Sequence, residues 1–155
     1  TLILTGDIVD SAAAPEEAIA WLSRLSKLGP ELILIAGNHD RGQIRRHFEF
    51  VPWFRSGFFF FHHGHQSCFE EETKGESGLI EITGHQHPSI RYSDGAGTSL
   101  RLPSLAMESF TNHSRWVLPA FSPWAGGGAY RPSEKCSEFH QWACGQFRVF
   151  EVFHP

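Results

Sequence analysis

The segment Glu31-Leu32-Ile33-Leu34-Ile35-Ala36-Gly37-Asn38-His39-Asp40 joins an apolar run to a polar end. Residues 31–36 predict a buried β-strand, because a short run of aliphatic residues is typical of a strand that is covered on both faces. Gly37 permits a sharp exit from the strand, and an amide, an imidazole and a carboxylate follow it. Since these side chains bind metal ions and transfer protons, the segment predicts a functional site.

Three other predicted strands also end in polar side chains. Residues 1–5 lead into Gly6-Asp7, residues 58–61 into His62-His63-Gly64-His65, and Leu79–Thr83 into Gly84-His85-Gln86-His87. Possible ligands at four strand ends indicate one shared polynuclear metal centre. Taken alone, Asp7 is equally well interpreted as a turn or cap residue. Within 62–65 we choose His63 as the ligand, since the glycine beside it allows a tight turn.

The order of the first elements places two of these strand ends together. Pro15 and the acidic residues after it predict the start of a helix, and Gly29-Pro30 predicts its end. Strand, helix and strand over residues 1–36 form a βαβ crossover, which gives a parallel pair. Asp7 and Asn38 are therefore expected at the same edge of the sheet, where α/β proteins bind ligands. Further strands are predicted within 90–110, at 116–118 and at 146–153.

Composition limits the class of protein. A chain of 155 residues with 41% hydrophobic and 19% charged residues fits one globular domain, and no repeat or linker divides it. Its formal net charge of −4 excludes binding to nucleic acid by bulk charge, so any such contact is local. Cys68, Cys136 and Cys144 lack C-x-x-C spacing and are expected as reduced thiols. Without a signal-type start or a long apolar run, we expect a cytoplasmic protein.

The ordered motifs resemble one known superfamily. Gly6-Asp7, Gly37-Asn38-His39-Asp40, His63-Gly64 and Gly84-His85-Gln86-His87 resemble the motifs of the calcineurin-like metallophosphoesterases, over residues 1–88. Three further features resemble the bacterial ligase-associated DNA damage response endonuclease (PdeM-type) branch: Arg41, Pro88, and residues 117–121 followed by Gly126-Gly127. In that branch a phosphoesterase is linked to a DNA ligase and a helicase.

The resemblance implies an α/β fold, a four-layer αββα metallophosphoesterase sandwich, over a single domain of residues 1–155. It also implies five metal ligands: Asp7, Asn38, His63, His85 and His87. Asp7 would bridge two metals; Asn38, His63 and His85 would complete one of them, and His87 would join Asp7 on the other. His39 would protonate the leaving oxygen, with Asp40 orienting its imidazole.

One motif of the superfamily is absent. An Asp-x-His at the end of a preceding strand supplies two ligands in the family, and residues 1–5 contain no substitute. We therefore expect an N-terminally truncated domain, lacking its first strand and impaired as an enzyme. Imidazole, carboxylate and amide ligands without thiolate suit manganese, iron or zinc, and the resemblance favours two manganese ions.

The expected function is a two-metal-dependent phosphodiesterase, a DNA endonuclease associated with DNA repair. A small-molecule phosphatase or nucleotide hydrolase on the same site is a second hypothesis, and a non-catalytic scaffold with this fold is a third. Arg45 and Arg46 are interpreted as a solvated face, whereas Arg41 stands beside the motif. A phosphodiester, DNA in particular, is the expected binding partner, and no membrane is expected.

Overall fold

The structure, a computed structural model, describes residues 1–10, 15–93, 95–122 and 125–152. The chain divides into two compact units, Thr1–Lys74 and Gly75–Pro155. Both strands and helices are present, so the predicted α/β class is confirmed. The single domain over residues 1–155 stays a prediction.

The first unit begins with the predicted βαβ crossover. Strand β1 (Leu2–Leu4) and strand β2 (Leu32–Leu34) are parallel, with Leu2 opposite Leu32, and helix α1 (Pro15–Lys27) joins them. The acidic first turn and basic last turn of α1 complement the helix dipole. Leu22 of α1 is fully buried in a core with Val9, Leu34 and Ile44. Burial of this apolar face fixes both strand ends over one core.

The rest of the first unit contains a hairpin and two short helices. Helix α2 (Ile44–His47) follows the motif, strands β3 (Trp53–Ser56) and β4 (Phe59–His62) are antiparallel, and helix α3 (Phe69–Glu72) comes last. The rings of Trp53 and Phe60 stack across the hairpin at 5.2 Å. Strand β3 was not predicted. Strand β4 begins and ends one residue later than predicted, so His63 directly follows it.

The second unit consists of strands in its described residues: β5 (Leu79–Thr83), β6 (Pro88–Ser93), β7 (Ser99–Ser109), β8 (His113–Val117), β9 (Gly128–Ala129), β10 (Glu138–Cys144) and β11 (Val149–Glu151). Five of them lie in the order β11-β10-β7-β8-β5, while β6 pairs with β7 and with β9. The hairpin predicted within 90–110 is confirmed as β6 and β7. Asp94 of its turn and Phe153 of the predicted last strand lie outside the described residues.

A buried ionic network joins three strands of the second unit. Glu81 of β5 and Glu108 of β7 are almost completely buried, and Arg115 of β8 lies between them. The Nε–H of Arg115 donates to Oε2 of Glu81 at 2.6 Å, and its Nη1 lies 3.5 Å from Oε2 of Glu108. The hydroxyl of Tyr130 and the backbone N–H of Ser133 also donate to Glu108. Two buried carboxylates thus depend on one guanidinium and these donors.

Burial raises the pKa of the Tyr130 phenol above its usual range, and the hydrogen bond to Glu108 adds to this effect. The phenol therefore stays a neutral donor to that carboxylate at ordinary pH. Tyr130 and Ser133, which both donate to Glu108, lie outside the three strands that carry the charged residues.

We predict that Arg115→Met destabilises the protein, because it removes the guanidinium that pairs with two buried carboxylates. The expected loss is about 3 kcal/mol in the free energy of unfolding, at the low end of the range for a broken buried pair, because the Arg115 side chain is 32% exposed. Urea denaturation measures it. Arg148→Met, a matched change at an exposed residue, should have little effect. Equal midpoints for both variants would contradict the role of the network.

Candidate metal centre

Asp7 occupies a sharp turn at the end of β1. Gly6 has φ 89° and Asp7 has φ 52°, so both residues lie in the left-handed region of backbone conformation. Such a conformation is uncommon for a residue with a side chain and is often found at functional sites. Oδ1 of Asp7 accepts a hydrogen bond from the backbone N–H of His39 at 2.9 Å. This bond leaves Oδ2 to face His63.

His63 is the residue of 62–65 that reaches Asp7. Its side chain is buried, and Nδ1 lies 2.7 Å from the carbonyl oxygen of Thr5. Because a carbonyl oxygen only accepts, the hydrogen of this bond belongs to Nδ1, and Nε2 of the neutral ring carries a lone pair. Nε2 lies 3.0 Å from Oδ2 of Asp7 and 3.2 Å from Oδ1 of Asn38.

The donor atoms of this cluster fit a divalent metal ion. With the ring neutral and its hydrogen on Nδ1, Nε2 of His63 offers a lone pair beside those of Oδ2 of Asp7 and Oδ1 of Asn38, so a cation among the three atoms would bind all of them. An imidazole whose other nitrogen donates to a backbone carbonyl is the usual arrangement of a histidine that binds a metal. The mixture of imidazole, carboxylate and amide oxygen suits manganese, iron or zinc. These three predicted ligands are brought together within the first unit.

Asp40 connects the turns that follow β1 and β2. Its carboxylate is completely buried. Oδ1 accepts from the backbone N–H groups of Ile8 and Val9 at 2.8 and 3.3 Å, and Oδ2 accepts from those of Asp7 and Gly37 at 2.8 and 2.9 Å. Backbone N–H groups are effective ligands for a carboxylate that is removed from water. Asp40 therefore positions the turn that carries Asp7.

The resemblance implies a different role for Asp40, that of orienting the imidazole of His39. In the described part of the chain, both oxygens of the Asp40 carboxylate accept hydrogen bonds from backbone N–H groups and not from that ring. The side chain of His39 is exposed, while its backbone N–H is bound to Asp7. The ring therefore lies at the surface of the first unit. In the sequence, His39 directly follows Asn38 of the donor cluster.

Gly6 and Gly37 allow the turns to approach each other. A Cβ atom at Gly37 would overlap both the backbone nitrogen and Oδ1 of Asp7. At Gly6 it would lie 2.6 Å from Nδ1 of His63, where the bond to Thr5 forms. Glycine at both positions is therefore a steric requirement of the cluster.

His85 and His87 occupy one turn of the second unit, between β5 and β6. Their φ angles are 62° and 45°, so both histidines are in the left-handed region. The carbonyl of His87 accepts from the backbone N–H of Gly128 at 3.2 Å, and a Cβ at Gly127 would lie 2.7 Å from that carbonyl oxygen. The turn is thus held by its backbone. The assignment of both histidines as metal ligands stays a prediction.

Several participants in the cluster were not predicted from the sequence. The Thr5 carbonyl and the N–H groups of Ile8 and Val9 act through the backbone, which leaves no signal in residue type. The Nε–H groups of Arg41 and Arg45 donate to the carbonyls of Asn38 and Asp40. The position of Arg41 immediately after the motif was the only sequence signal for these contacts, since Arg45 was interpreted as part of a solvated face.

We predict that Asp40→Ala weakens Mn²⁺ binding by roughly 10–100-fold, the typical cost of losing a residue that positions a metal ligand. The change removes the acceptor of four backbone N–H groups and so releases the turn at Asp7. Isothermal titration calorimetry with Mn²⁺ measures the effect, and circular dichroism reports whether the variant is folded. Asp10→Ala, at an exposed carboxylate three residues from Asp7, is the control. A folded Asp40→Ala with the affinity of the wild type would contradict the positioning role.

Comparison with known proteins is consistent with this geometry. The chain matches a family described as calcineurin-like phosphoesterase over residues 1–123, which include all of the predicted ligands. No curated protein and no solved structure gives a significant match. Within the described ranges, no helix has the length and apolar character needed to cross a membrane. Since the family match covers most of its length, the chain belongs to the calcineurin-like phosphoesterase family.

Proposed function

We propose that the protein is a two-metal-dependent phosphodiesterase that acts as a DNA endonuclease in DNA repair. Membership of the family makes it a metal-dependent phosphoester hydrolase. The observation that carries the proposal is the cluster of Asp7, Asn38 and His63, in which the bond from Nδ1 to Thr5 orients Nε2 toward the two oxygens.

In the proposed enzyme, five residues hold the metals: Asp7, Asn38, His63, His85 and His87. Two divalent cations, manganese by preference and iron or zinc otherwise, supply neutralisation of the phosphate oxygens and activation of the attacking water. The chain itself supplies the geometry, because Asp40 fixes the turn of Asp7 and Thr5 fixes the ring of His63. Ligands that are held before the metal binds lose little entropy when it does.

His39 is the proposed general acid. Its imidazole is exposed, and its backbone N–H is bound to Oδ1 of a proposed metal ligand, Asp7. A positioned imidazole can give a proton to the departing oxygen of a phosphodiester, which typically contributes ~10²–10⁴-fold in rate. The proposal assigns the orientation of the ring to Asp40 only indirectly, through the turn that both residues share.

The DNA substrate and the repair role rest on resemblance to the PdeM-type branch. Arg41 and Pro88 extend two motifs as in that branch, and a functional link to a DNA ligase and a helicase follows from the same resemblance. A cytoplasmic location agrees with such partners and stays a prediction. Because the net charge is −4, a DNA strand needs a local positive region near the metal centre.

Hydrolysis of bis-(p-nitrophenyl) phosphate in the presence of Mn²⁺ tests the proposal. We predict that His39→Ala lowers kcat by roughly 10²–10⁴-fold because the leaving group loses its acid. Asp7→Ala should remove activity, since it deletes the carboxylate that would hold the metals. His47→Ala, at an exposed histidine outside the motifs, is the control.

Hydrolysis that survives both His39→Ala and Asp7→Ala would exclude this site. A higher kcat/KM for p-nitrophenyl phosphate than for the diester would replace the phosphodiesterase with a phosphatase. Failure to bind Mn²⁺ at micromolar concentration would instead favour a non-catalytic scaffold.

A further inference from the structure

A local positive region follows the metal-binding motif directly. Arg41, Arg45 and Arg46 lie within six residues, in a chain whose net charge is −4, and all three side chains are exposed. The carboxylate immediately before them, that of Asp40, is buried and accepts four backbone N–H groups. This carboxylate is thus bound to backbone donors rather than to the guanidinium groups.

Two of these arginines are anchored to the motif. The Nε–H of Arg41 donates to the carbonyl of Asn38 at 2.9 Å, and the Nε–H of Arg45 donates to the carbonyl of Asp40 at 2.5 Å. These carbonyls belong to the residues on either side of His39. The guanidinium of Arg45 also lies over the ring of Phe50, 5.6 Å from its centroid. Both cations are therefore held next to the proposed general acid.

The anchoring bonds leave the charges available. A guanidinium has five N–H donors, and the bonds to the motif carbonyls use one from each arginine. Neither Arg41 nor Arg45 forms a salt bridge with a carboxylate among the described residues. A neutral carbonyl orients a guanidinium without cancelling its charge, whereas a carboxylate partner would cancel it.

We propose that Arg41 and Arg45 form a subsite for a phosphate that flanks the scissile phosphate of a DNA strand. The inference rests on the proposed phosphodiesterase function and names a determinant of its substrate. Guanidinium groups bind phosphate oxygens in pairs of parallel hydrogen bonds. The metal centre neutralises the scissile phosphate, so cations beside His39 serve a second anionic group. A DNA strand carries a phosphate at every nucleotide, whereas a simple phosphate monoester has no second phosphate.

A purely structural role is the competing explanation, because the same Nε–H bonds stabilise the motif. The dependence of binding on salt separates the two. A plot of log K against log[salt] has a negative slope. Loss of one phosphate contact makes this slope less steep by ~0.7 for a single strand. Loosening of the motif lowers affinity at every salt concentration and leaves that slope unchanged.

The test uses Arg41→Gln, Arg45→Gln and, as a matched control, Arg24→Gln at an exposed arginine of α1. Fluorescence anisotropy with labelled single-stranded hexathymidylate, with Ca²⁺ in place of Mn²⁺ and from 50 to 200 mM KCl, gives affinity and slope. We expect each subsite variant to bind roughly tenfold more weakly, as for a lost hydrogen bond to a charged group. Its salt slope should be less steep by ~0.7. The control should match the wild type.

Kinetics in Mn²⁺ provide the second readout. In the subsite variants, kcat/KM for hexathymidylate should fall about tenfold further than kcat/KM for bis-(p-nitrophenyl) phosphate, which has no flanking phosphate. If the small diester is still hydrolysed, either of two results would overturn the subsite. One is an unchanged salt slope in the variants, and the other is wild-type protein that does not bind the oligonucleotide. A wild-type protein that hydrolyses no diester would refute the proposed function, and the subsite with it.

Discussion

The hydrogen bond between Nδ1 of His63 and the carbonyl of Thr5 determines the chemistry of the metal centre. The bond is 2.7 Å long and involves a buried ring. It assigns the hydrogen to Nδ1, and so it turns the lone pair of Nε2 toward the oxygens of Asp7 and Asn38. Because Thr5 follows β1 and His63 follows β4, the backbone of one strand end orients the proposed ligand of another. Loss of the bond would leave the ring free to rotate.

Asp40 provides the second constraint. A buried carboxylate is costly unless its lone pairs are satisfied, and here backbone N–H groups from two turns satisfy them. The arrangement holds Asp7 in a left-handed conformation that its side chain alone would not favour. The same turn binds the backbone of His39 through Asp7. The proposed ligand and the proposed acid thus depend on one carboxylate, which makes Asp40 more than a partner for a single ring.

The elements that were predicted correctly are those whose hydrophobic pattern agrees with the residues that begin and end them. The βαβ crossover is confirmed because its strands are aliphatic runs and its helix has a proline start and a glycine end. Asp7 and Asn38 come together as expected from the ends of the parallel strands β1 and β2, and His63 joins them from the end of β4, which belongs to a different sheet. Their contacts with backbone groups could not be predicted, since an N–H of Ile8 or a carbonyl of Thr5 looks the same in every sequence.

The strand Leu79–Thr83 was predicted, but its sequence does not show which face is buried. The structure buries Leu79, Glu81 and Thr83. A carboxylate can occupy that face because Arg115, on the neighbouring strand, supplies a charged donor at 2.6 Å. Compensation of this kind comes from a residue 34 positions away in the chain. It is therefore invisible to any local pattern.

The most direct test of the account is the tautomer of His63, observed by long-range ¹H–¹⁵N NMR at pH 8 before and after addition of Zn²⁺ as a diamagnetic probe. The account predicts hydrogen on Nδ1 in both states, with the Zn²⁺-dependent change in ¹⁵N shift confined to Nε2 of that ring. Hydrogen on Nε2, or a ring whose Nε2 shift does not respond to Zn²⁺, would contradict the assignment of His63 as a metal ligand oriented by Thr5.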